Sequence, residues 1–482
     1  MNPRRPRRPV VGERPLWYVV SIAALGSALY GIQILVDLAR PRVGYADPAI
    51  GMLAGTRSAV LKVTFWGVLA SWLVVLLIWS VVRHRLERLV PAARTRTLQL
   101  ATAIVLALPF TVYPGFVVFR HPTVLLACLP STAFALWGFN TMQRYRRMPW
   151  WLVLGVFGWG MFLAPGFGGA MNLWVLDYGP GYLHSAGNPF EVMHRVYTVA
   201  FASAGIFEEL GKGAGVAVAY LLYRRYFDGV VSGIVLGATV GLGFNLVESV
   251  EYMSAAAGGT VGFQYWMRQS IGLLGAHTAF SALVGAGFGV ARQLDDRRLR
   301  RIVIGCGFVC SAGGHFANDV VLRWFSQTGP TWFTVSPALD ILVVQPLVLV
   351  VLQGAFVVLY LLLLRRGTRD QAAGLATEFA AEAATGHGTV TEAEIPVLVN
   401  PTKRLWLRIS TLRRYGMGAY RALRRLQAAQ YDLGMQRWHR SRDEVDEWAT
   451  PESELRLTVL QHREVLGGVL TGTVTCPAGV PA

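Results

Sequence analysis

The chain of 482 residues is 53% hydrophobic and 15% charged, whereas soluble globular domains are about 25% charged. This composition excludes an ordinary soluble protein and indicates a polytopic membrane protein. The formal charge of +17 does not predict a nucleic-acid partner, because the arginines cluster beside the apolar runs, as membrane topology requires.

Ten apolar stretches follow in chain order, and a helix needs about 20 such residues to cross the hydrocarbon core. They cover residues 16–38, 61–82, 98–119, 122–140, 149–168, 196–223, 229–253, 270–291, 302–322 and 337–364. The sequence therefore predicts an all-α polytopic membrane protein with about ten transmembrane helices. The transmembrane domain spans residues 16–366 and follows a basic tail, residues 1–15.

The basic residues beside the stretches set the predicted orientation. With the N-terminus in the cytoplasm, the first five cytoplasmic segments hold 20 arginines and the outer segments hold 8 basic residues, Arg268 among them. Because arginine and lysine accumulate on the cytoplasmic side, both termini are predicted to be cytoplasmic. The expected location is the plasma membrane, with the lipid bilayer as one partner.

Residues 367–482 are polar with helical periodicity and predict a helical cytoplasmic region. A basic amphipathic stretch begins at Asn400 and is broken by glycine near Gly416. It either lies on an anionic membrane surface or belongs to a small bundle with solvated arginines. The last stretch, from Gly467, is predicted to be a loose tail.

Ionisable residues gather in four consecutive spans, the sixth to the ninth. Inside a membrane helix each costs about 2.5–3.5 kcal/mol on insertion scales and indicates a functional site. Their polar residues are Glu208, Glu209 and Lys212, then Asn245, Glu248 and Glu251, then His277, and finally His315, Asn318 and Asp319. The first five spans contribute almost nothing comparable, so the four later spans are predicted to share one polar cavity.

Helical spacing relates these residues. Lys212 lies three and four positions after Glu209 and Glu208, so it can neutralise one carboxylate and leave the other free. Asn245, Glu248 and Tyr252 form a stripe along the seventh span. Glu251 and Asp319 are interpreted as structural, the latter through a pair with Arg323.

The order of these motifs resembles the PrsW family of intramembrane proteases, relatives of the CAAX prenyl proteases. The motifs are Glu208-Glu209-x-x-Lys212, Gly243-Phe244-x-x-x-Glu248, His277 before a glycine-rich span, and His315-x-x-Asn318. The resemblance covers about residues 194–325 and departs from the family pattern at Ser249, where asparagine is usual. It implies endoproteolysis of membrane-anchored proteins such as anti-sigma factors.

Two mechanisms follow, since no serine or cysteine forms a nucleophile–base pair with a histidine. In the first, Glu208 or Glu209 is the general base and His277 holds the water. His315 and Asn318 then donate to the oxyanion. In the second, Zn²⁺ is bound by Glu248, His277 and His315, as the family's description as metalloproteases implies. No HExxH motif decides between them, and the metal-free version is preferred.

Two other classes of protein also account for buried glutamate, lysine and histidine. A transporter would place them in a midplane cavity, but the expected pair of related halves is absent from the sequence. A catalytically silent membrane scaffold would retain them from an active ancestor.

Overall fold

The computed structural model describes residues 14–38, 48–86, 92–172, 189–255, 260–328, 336–442, 444 and 449–473. Within these ranges the chain is almost entirely helical and contains no strand. The predicted basic tail up to residue 13 and the C-terminal residues 474–482 lie outside the described residues.

The first six helices correspond to the first five predicted spans. They are α1 Arg14–Leu38, α2 Pro48–Leu86, α3 Ala92–Ala107, α4 Val112–Arg120, α5 Pro122–Met142 and α6 Trp150–Asn172. A 3₁₀ turn at Leu108–Thr111 joins α3 to α4, so these two helices form one span. One π-helical turn, Trp159–Leu163, interrupts α6.

The next six helices carry the predicted polar residues. They are α7 Pro189–Leu222, α8 Val230–Ala255, α9 Thr260–Gln269, α10 Ala276–Gln293, α11 Arg297–Thr328 and α12 Gln345–Ala383. The predicted eighth span, 270–291, begins too early: Ile271–Leu273 is a 3₁₀ turn and α10 starts at Ala276. Ala276 has a φ of 40°, a left-handed conformation that strains a residue with a side chain.

Every predicted span falls on a helix. Among the described residues, seven segments are long and apolar enough to cross a membrane: Lys62–Val81, Arg96–Arg120, Pro122–Met142, Trp150–Asn172, Val230–Ala255, Val261–Gln293 and Leu342–Ala383. An apolar segment of α1, Leu16–Ile32, is shorter, and α7 and α11 fall outside this set. The protein is therefore a multi-pass membrane protein, and about ten spans remains a prediction.

Helix α8 is the most buried of these segments. All residues of its most apolar 18-residue stretch are buried, whereas 17% of the corresponding stretch in Leu342–Ala383 is buried. A Cβ added at Gly233, Gly237 or Gly241 would meet the backbone of α10. Because Gly241 abuts the carbonyl of His277, this close approach fixes the backbone that carries the histidine.

The chain divides into two compact units. The membrane unit contains Gly12–Asn140 and Pro149–Leu362, and it holds all the predicted site residues. The C-terminal unit contains the described residues of Thr141–Met148 and Leu363–Ala482. The sequence did not predict that the short segment between α5 and α6 would join the C-terminal region.

The C-terminal unit is helical, as predicted. Its helices α13 Pro401–Ser441 and α14 Glu452–Thr471 follow the end of α12. Asn400 caps α13, and Gly416 breaks it with a φ of 78°, as the sequence predicts. The prediction of a loose tail from Gly467 is wrong for its first residues, because α14 continues to Thr471. The cytoplasmic location of this unit stays a prediction.

Candidate active site

Lys212 is the centre of a buried polar network in the membrane unit. Its Nζ lies 2.7 Å from Glu209 Oε1, 3.5 Å from Glu208 Oε2 and 2.9 Å from His277 Nδ1. The ammonium also lies 3.7 Å from the centre of the Phe244 ring. A fully buried lysine needs such partners, because an isolated charge in the membrane interior is costly.

The two adjacent glutamates differ in how completely they are bound. Glu209 is fully buried, and besides the lysine it contacts Ser311 Oγ at 2.5 Å and His315 Nδ1 at 2.9 Å. Glu208 accepts a hydrogen bond of 2.7 Å from Asn172 Nδ2 on Oε1. Among the described residues, its Oε2 has only the longer contacts to the lysine, at 3.5 Å, and to His315 Nε2, at 3.7 Å. Glu208 is therefore the glutamate with an incompletely bound oxygen.

The hydrogen bonds of His277 set its tautomer. The ammonium of Lys212 can only donate, so Nδ1 of His277 accepts. Nε2 then carries the proton and donates to Oε2 of Glu248 in a short contact. His277 thus connects the α7 lysine with the α8 glutamate.

Arg268, a residue of α9, contacts all three residues of the polar stripe on α8: Asn245, Glu248 and Tyr252. Arg268 Nη1 donates to Glu248 Oε2 at 2.9 Å, and its backbone carbonyl accepts from Asn245 Nδ2 at 3.3 Å. The guanidinium lies 3.8 Å from the Tyr252 ring centre, and its Nε donates to Gln264 Oε1 at 3.1 Å. The sequence placed this arginine among the outer topology determinants, but it is paired with a predicted site residue.

His315 lies between three carboxylates. Because Glu209 can only accept, Nδ1 of His315 donates to it, which leaves Nε2 for other partners. Nε2 lies 3.7 Å from Glu208 Oε2 and 3.5 Å from Asp319 Oδ2. The sequence interpretation pairs Asp319 with Arg323, whose side chain lies outside the described residues, and this pairing stays a prediction. Among the described residues Asp319 contacts His315.

Asn318 does not contact the α7 glutamates in the described structure. Its Nδ2 donates to Asp319 Oδ1 at 3.2 Å, and its Oδ1 accepts from Gln353 Nε2 at 3.0 Å. Gln353 is buried in α12, and its Oε1 accepts from the backbone N–H of Ala276 at 2.9 Å. Gln353 thus connects Asn318 to the strained residue immediately before His277.

One group of described residues could hold a metal ion. Glu208, His277 and His315 are buried and each offers a ligand atom, these atoms lying within 4.8 Å of one another. The sequence prediction named Glu248 with the two histidines. In the structure Glu248 is occupied by His277 and Arg268, and Glu208 takes its place in the group.

Two other polar residues of α8 have partners outside this network. Ser249, the departure from the family pattern, accepts from Gln269 Nε2 at 2.9 Å. Gln269 Oε1 in turn accepts from Ser131 Oγ at 2.8 Å, so the serine connects α8 through α9 to α5. Glu251 accepts from the Tyr113 hydroxyl in a short contact, which agrees with its structural interpretation.

Several residues of the site were missed by sequence reasoning. Asn172 belongs to α6, although the early spans were expected to contribute almost nothing. Ser311 precedes His315 by four residues, so the helical spacing already placed both on one face. Gln353 is a polar residue in a long apolar run, which is the sequence signal that marks it.

Buried carboxylates, histidines and a lysine that converge from several helices of a multi-pass membrane protein indicate a functional site, with groups that can serve as general acid and base. Residues 148–359 match the family model described as PrsW family intramembrane metalloprotease. The match contains every predicted site residue and the predicted core, 194–325. Neither the curated proteins nor the solved structures give a match.

The chain is therefore an intramembrane protease, and its substrates are membrane proteins within a lipid bilayer. This family assignment does not favour a transporter or a silent scaffold.

Proposed function

We propose that the chain hydrolyses peptide bonds of membrane-anchored proteins with a water molecule activated at Glu208, His277 and His315. The observation that carries the proposal is the convergence of these three buried side chains from α7, α10 and α11 within 4.8 Å. The other predicted site residues position these three side chains directly or through neighbours. They are Glu209, Lys212, Glu248 and Asn318. Anti-sigma factors are a substrate class that the family resemblance suggests.

Glu208 acts on the water. Its Oε2 has no contact shorter than 3.5 Å among the described residues, whereas both oxygens of Glu209 are bound closely. A proton acceptor needs a free lone pair within reach of the water. Glu209 is instead a fixed anion that orients His315 and balances the charge of Lys212.

The histidines and Lys212 complete the chemistry. The rings of His277 and His315 lie 5.0 Å apart between their centroids, and Nε2 of each lies near a carboxylate. A histidine that holds a proton there can donate it to the developing oxyanion or to the leaving amine. Asn318 is assigned a positioning role, because its side chain binds Asp319 and Gln353.

The donor set of Glu208, His277 and His315 also fits a divalent metal ion. One carboxylate and two imidazoles are ligands that zinc accepts in catalytic sites. His277 would have to give up its contact with Lys212 or with Glu248 to bind the ion, because both of its ring nitrogens are hydrogen-bonded. The Nδ1–H of His315 donates to Glu209, which is the second interaction that metal-bound histidines usually have. When bound, such an ion lowers the pKa of its water and polarises the substrate carbonyl. In that case Glu208 would be a metal ligand instead of the general base. Glu248, which is bound to His277, would be the neighbouring carboxylate.

The location of the enzyme follows the charge distribution of the sequence. We assign it to the plasma membrane with both termini in the cytoplasm, because the predicted cytoplasmic segments hold the excess of arginine. The transmembrane domain, residues 16–366, carries the protease, and residues 367–482 form the cytoplasmic region.

The test uses purified full-length protein and a panel of single-span membrane proteins in lipid vesicles. Cleavage should disappear in His277→Ala and His315→Ala and persist in a control such as Ser249→Ala, which lies outside the network. Persistent cleavage in both histidine variants would contradict the proposal.

Elemental analysis of the same preparations tests the metal ion. The metal-bound form predicts about one ion per wild-type chain and its loss in His315→Ala. Full activity after metal-free preparation and strong chelation would exclude the metal-bound form and leave Glu208 as the general base.

A further inference from the structure

Five arginines of the C-terminal unit form a cluster whose described partners are all neutral. The arginine cluster consists of Arg144, Arg147, Arg404, Arg408 and Arg424. Arg404 is buried and donates to the carbonyl oxygens of Leu398 and Arg144 and to the hydroxyl of Tyr431. Arg408 donates to Oε1 of Gln427 at 2.6 Å. Within the described part of the chain, none of the five forms an ion pair, so no described carboxylate offsets their charges.

The members of the arginine cluster repel one another. Desolvation lowers the pKa of Arg147, and the charges of three other members lower it further. Burial and two neighbouring arginines lower the pKa of Arg408 to about 10. Burial raises the pKa of Tyr431 to about 12, so its phenol stays neutral and supplies no negative charge. An anion from outside the described chain would relieve this repulsion.

The arginine cluster contains residues that must lie near the membrane surface. Arg144 and Arg147 fall in the short segment between Pro122–Met142 and Trp150–Asn172, two helices that can span a membrane. The abundant anion at that boundary is the phosphate group of a phospholipid. On α13, Leu405 and Trp406 directly follow Arg404 and are 56% and 63% exposed. Apolar and aromatic side chains beside basic ones favour the lipid interface.

We propose that the arginine cluster binds the phosphate headgroup of an anionic phospholipid in the bilayer that holds the protein. Arg147, Arg408 and Arg424 provide the N–H donors, because guanidinium groups match the geometry of phosphate oxygens. Arg404 is committed to its carbonyl and hydroxyl partners and adds positive charge beneath the bound headgroup.

The test titrates purified full-length protein in neutral detergent with phosphatidylglycerol and counts bound lipids by native mass spectrometry. The double variant Arg147→Gln/Arg408→Gln is compared with Arg413→Gln/Arg414→Gln, which removes the same charge from exposed positions of α13. The first pair should lose about tenfold or more in affinity, and the control less than about twofold. Phosphatidylcholine should bind weakly to every variant.

Three results would overturn the proposal. An equal loss in both double variants would mean that net charge alone attracts the lipid. Equal binding of phosphatidylcholine would remove the requirement for an anionic headgroup. Inorganic phosphate that competes as well as phosphatidylglycerol would assign the cluster to a soluble anion. The single variant Arg424→Gln tests the cluster independently, and its affinity for phosphatidylglycerol should fall by an intermediate amount. Thermal unfolding is measured to confirm that each variant is folded.

Discussion

The ammonium of Lys212 donates to Nδ1 of His277 at 2.9 Å, which joins the α7 acidic motif to the histidine of α10. The same nitrogen binds Glu209 at 2.7 Å. One buried cation therefore neutralises a carboxylate and fixes the tautomer of a histidine. This double role explains why the motif contains a lysine in a chain where three of 45 basic residues are lysines.

Replacing Lys212 with methionine should destabilise the protein and abolish cleavage. The change leaves Glu209 as a fully buried carboxylate without its cation, which costs about 3–5 kcal/mol. Thermal unfolding of the purified protein measures the loss.

The double variant Lys212→Met/Glu209→Gln removes both charges and should recover much of the stability. It should remain inactive, because His277 still lacks its donor. A double variant no more stable than Lys212→Met would contradict the assigned ion pair.

The variant Gln353→Met should lower the cleavage rate about tenfold to a hundredfold, because small displacements of catalytic groups are costly. Gln353 holds the N–H of Ala276, whose φ of 40° strains the backbone just before His277. Adding Ala276→Gly should restore part of the rate, since glycine adopts this conformation without strain. Absence of any rescue would mean that Gln353 does not act through Ala276. The lipid-exposed change Val351→Met in the same helix serves as the control.

The variant Gly241→Ala should destabilise the protein by about 1–3 kcal/mol and reduce activity. The added Cβ would meet the carbonyl of His277 and push α8 and α10 apart. Gly313→Ala is the matched control, because a Cβ there meets nothing within 4 Å. Thermal unfolding and cleavage are measured on both, and equal effects would contradict the close-packing account.

The variant Arg268→Lys should reduce kcat/KM for cleavage by about tenfold despite keeping the charge. A lysine cannot bind Glu248 and Gln264 together while covering the Tyr252 ring. Arg120→Lys, an arginine 5.4 Å from the Phe116 ring centre, is the control and should retain activity. Unchanged kinetics for Arg268→Lys would remove this arginine from the site.

The sequence predicted the helical architecture and the four-helix convergence because both depend on local patterns. Apolar length determines each span, and the cost of burying a charge identifies Glu208, Lys212 and His277 as unusual. The helical spacing within α7 also predicted that Lys212 would neutralise one glutamate. The structure adds that this glutamate is Glu209, through contacts to α11 that spacing within α7 cannot reveal.

The residues that were missed depend on contacts between distant parts of the chain. Arg268 was assigned from its position beside an apolar run, and the turn at Ile271–Leu273 places it on α9 against α8. Gln353 and Asn172 come from helices that carry no charged motif. The association of Thr141–Met148 with the C-terminal unit likewise has no local sequence signal.

The most direct test of the account is the cleavage of a single-span substrate by Glu208→Gln. This substitution keeps the size of the side chain and one oxygen that can accept the hydrogen bond from Asn172. It removes the second oxygen, which acts on the water. Glu251→Gln, on α8 and bound to Tyr113, is the control. We predict a rate loss of about 10²–10⁴-fold in Glu208→Gln and little change in the control. A Glu208→Gln protein that cleaves at the wild-type rate would contradict the central claim.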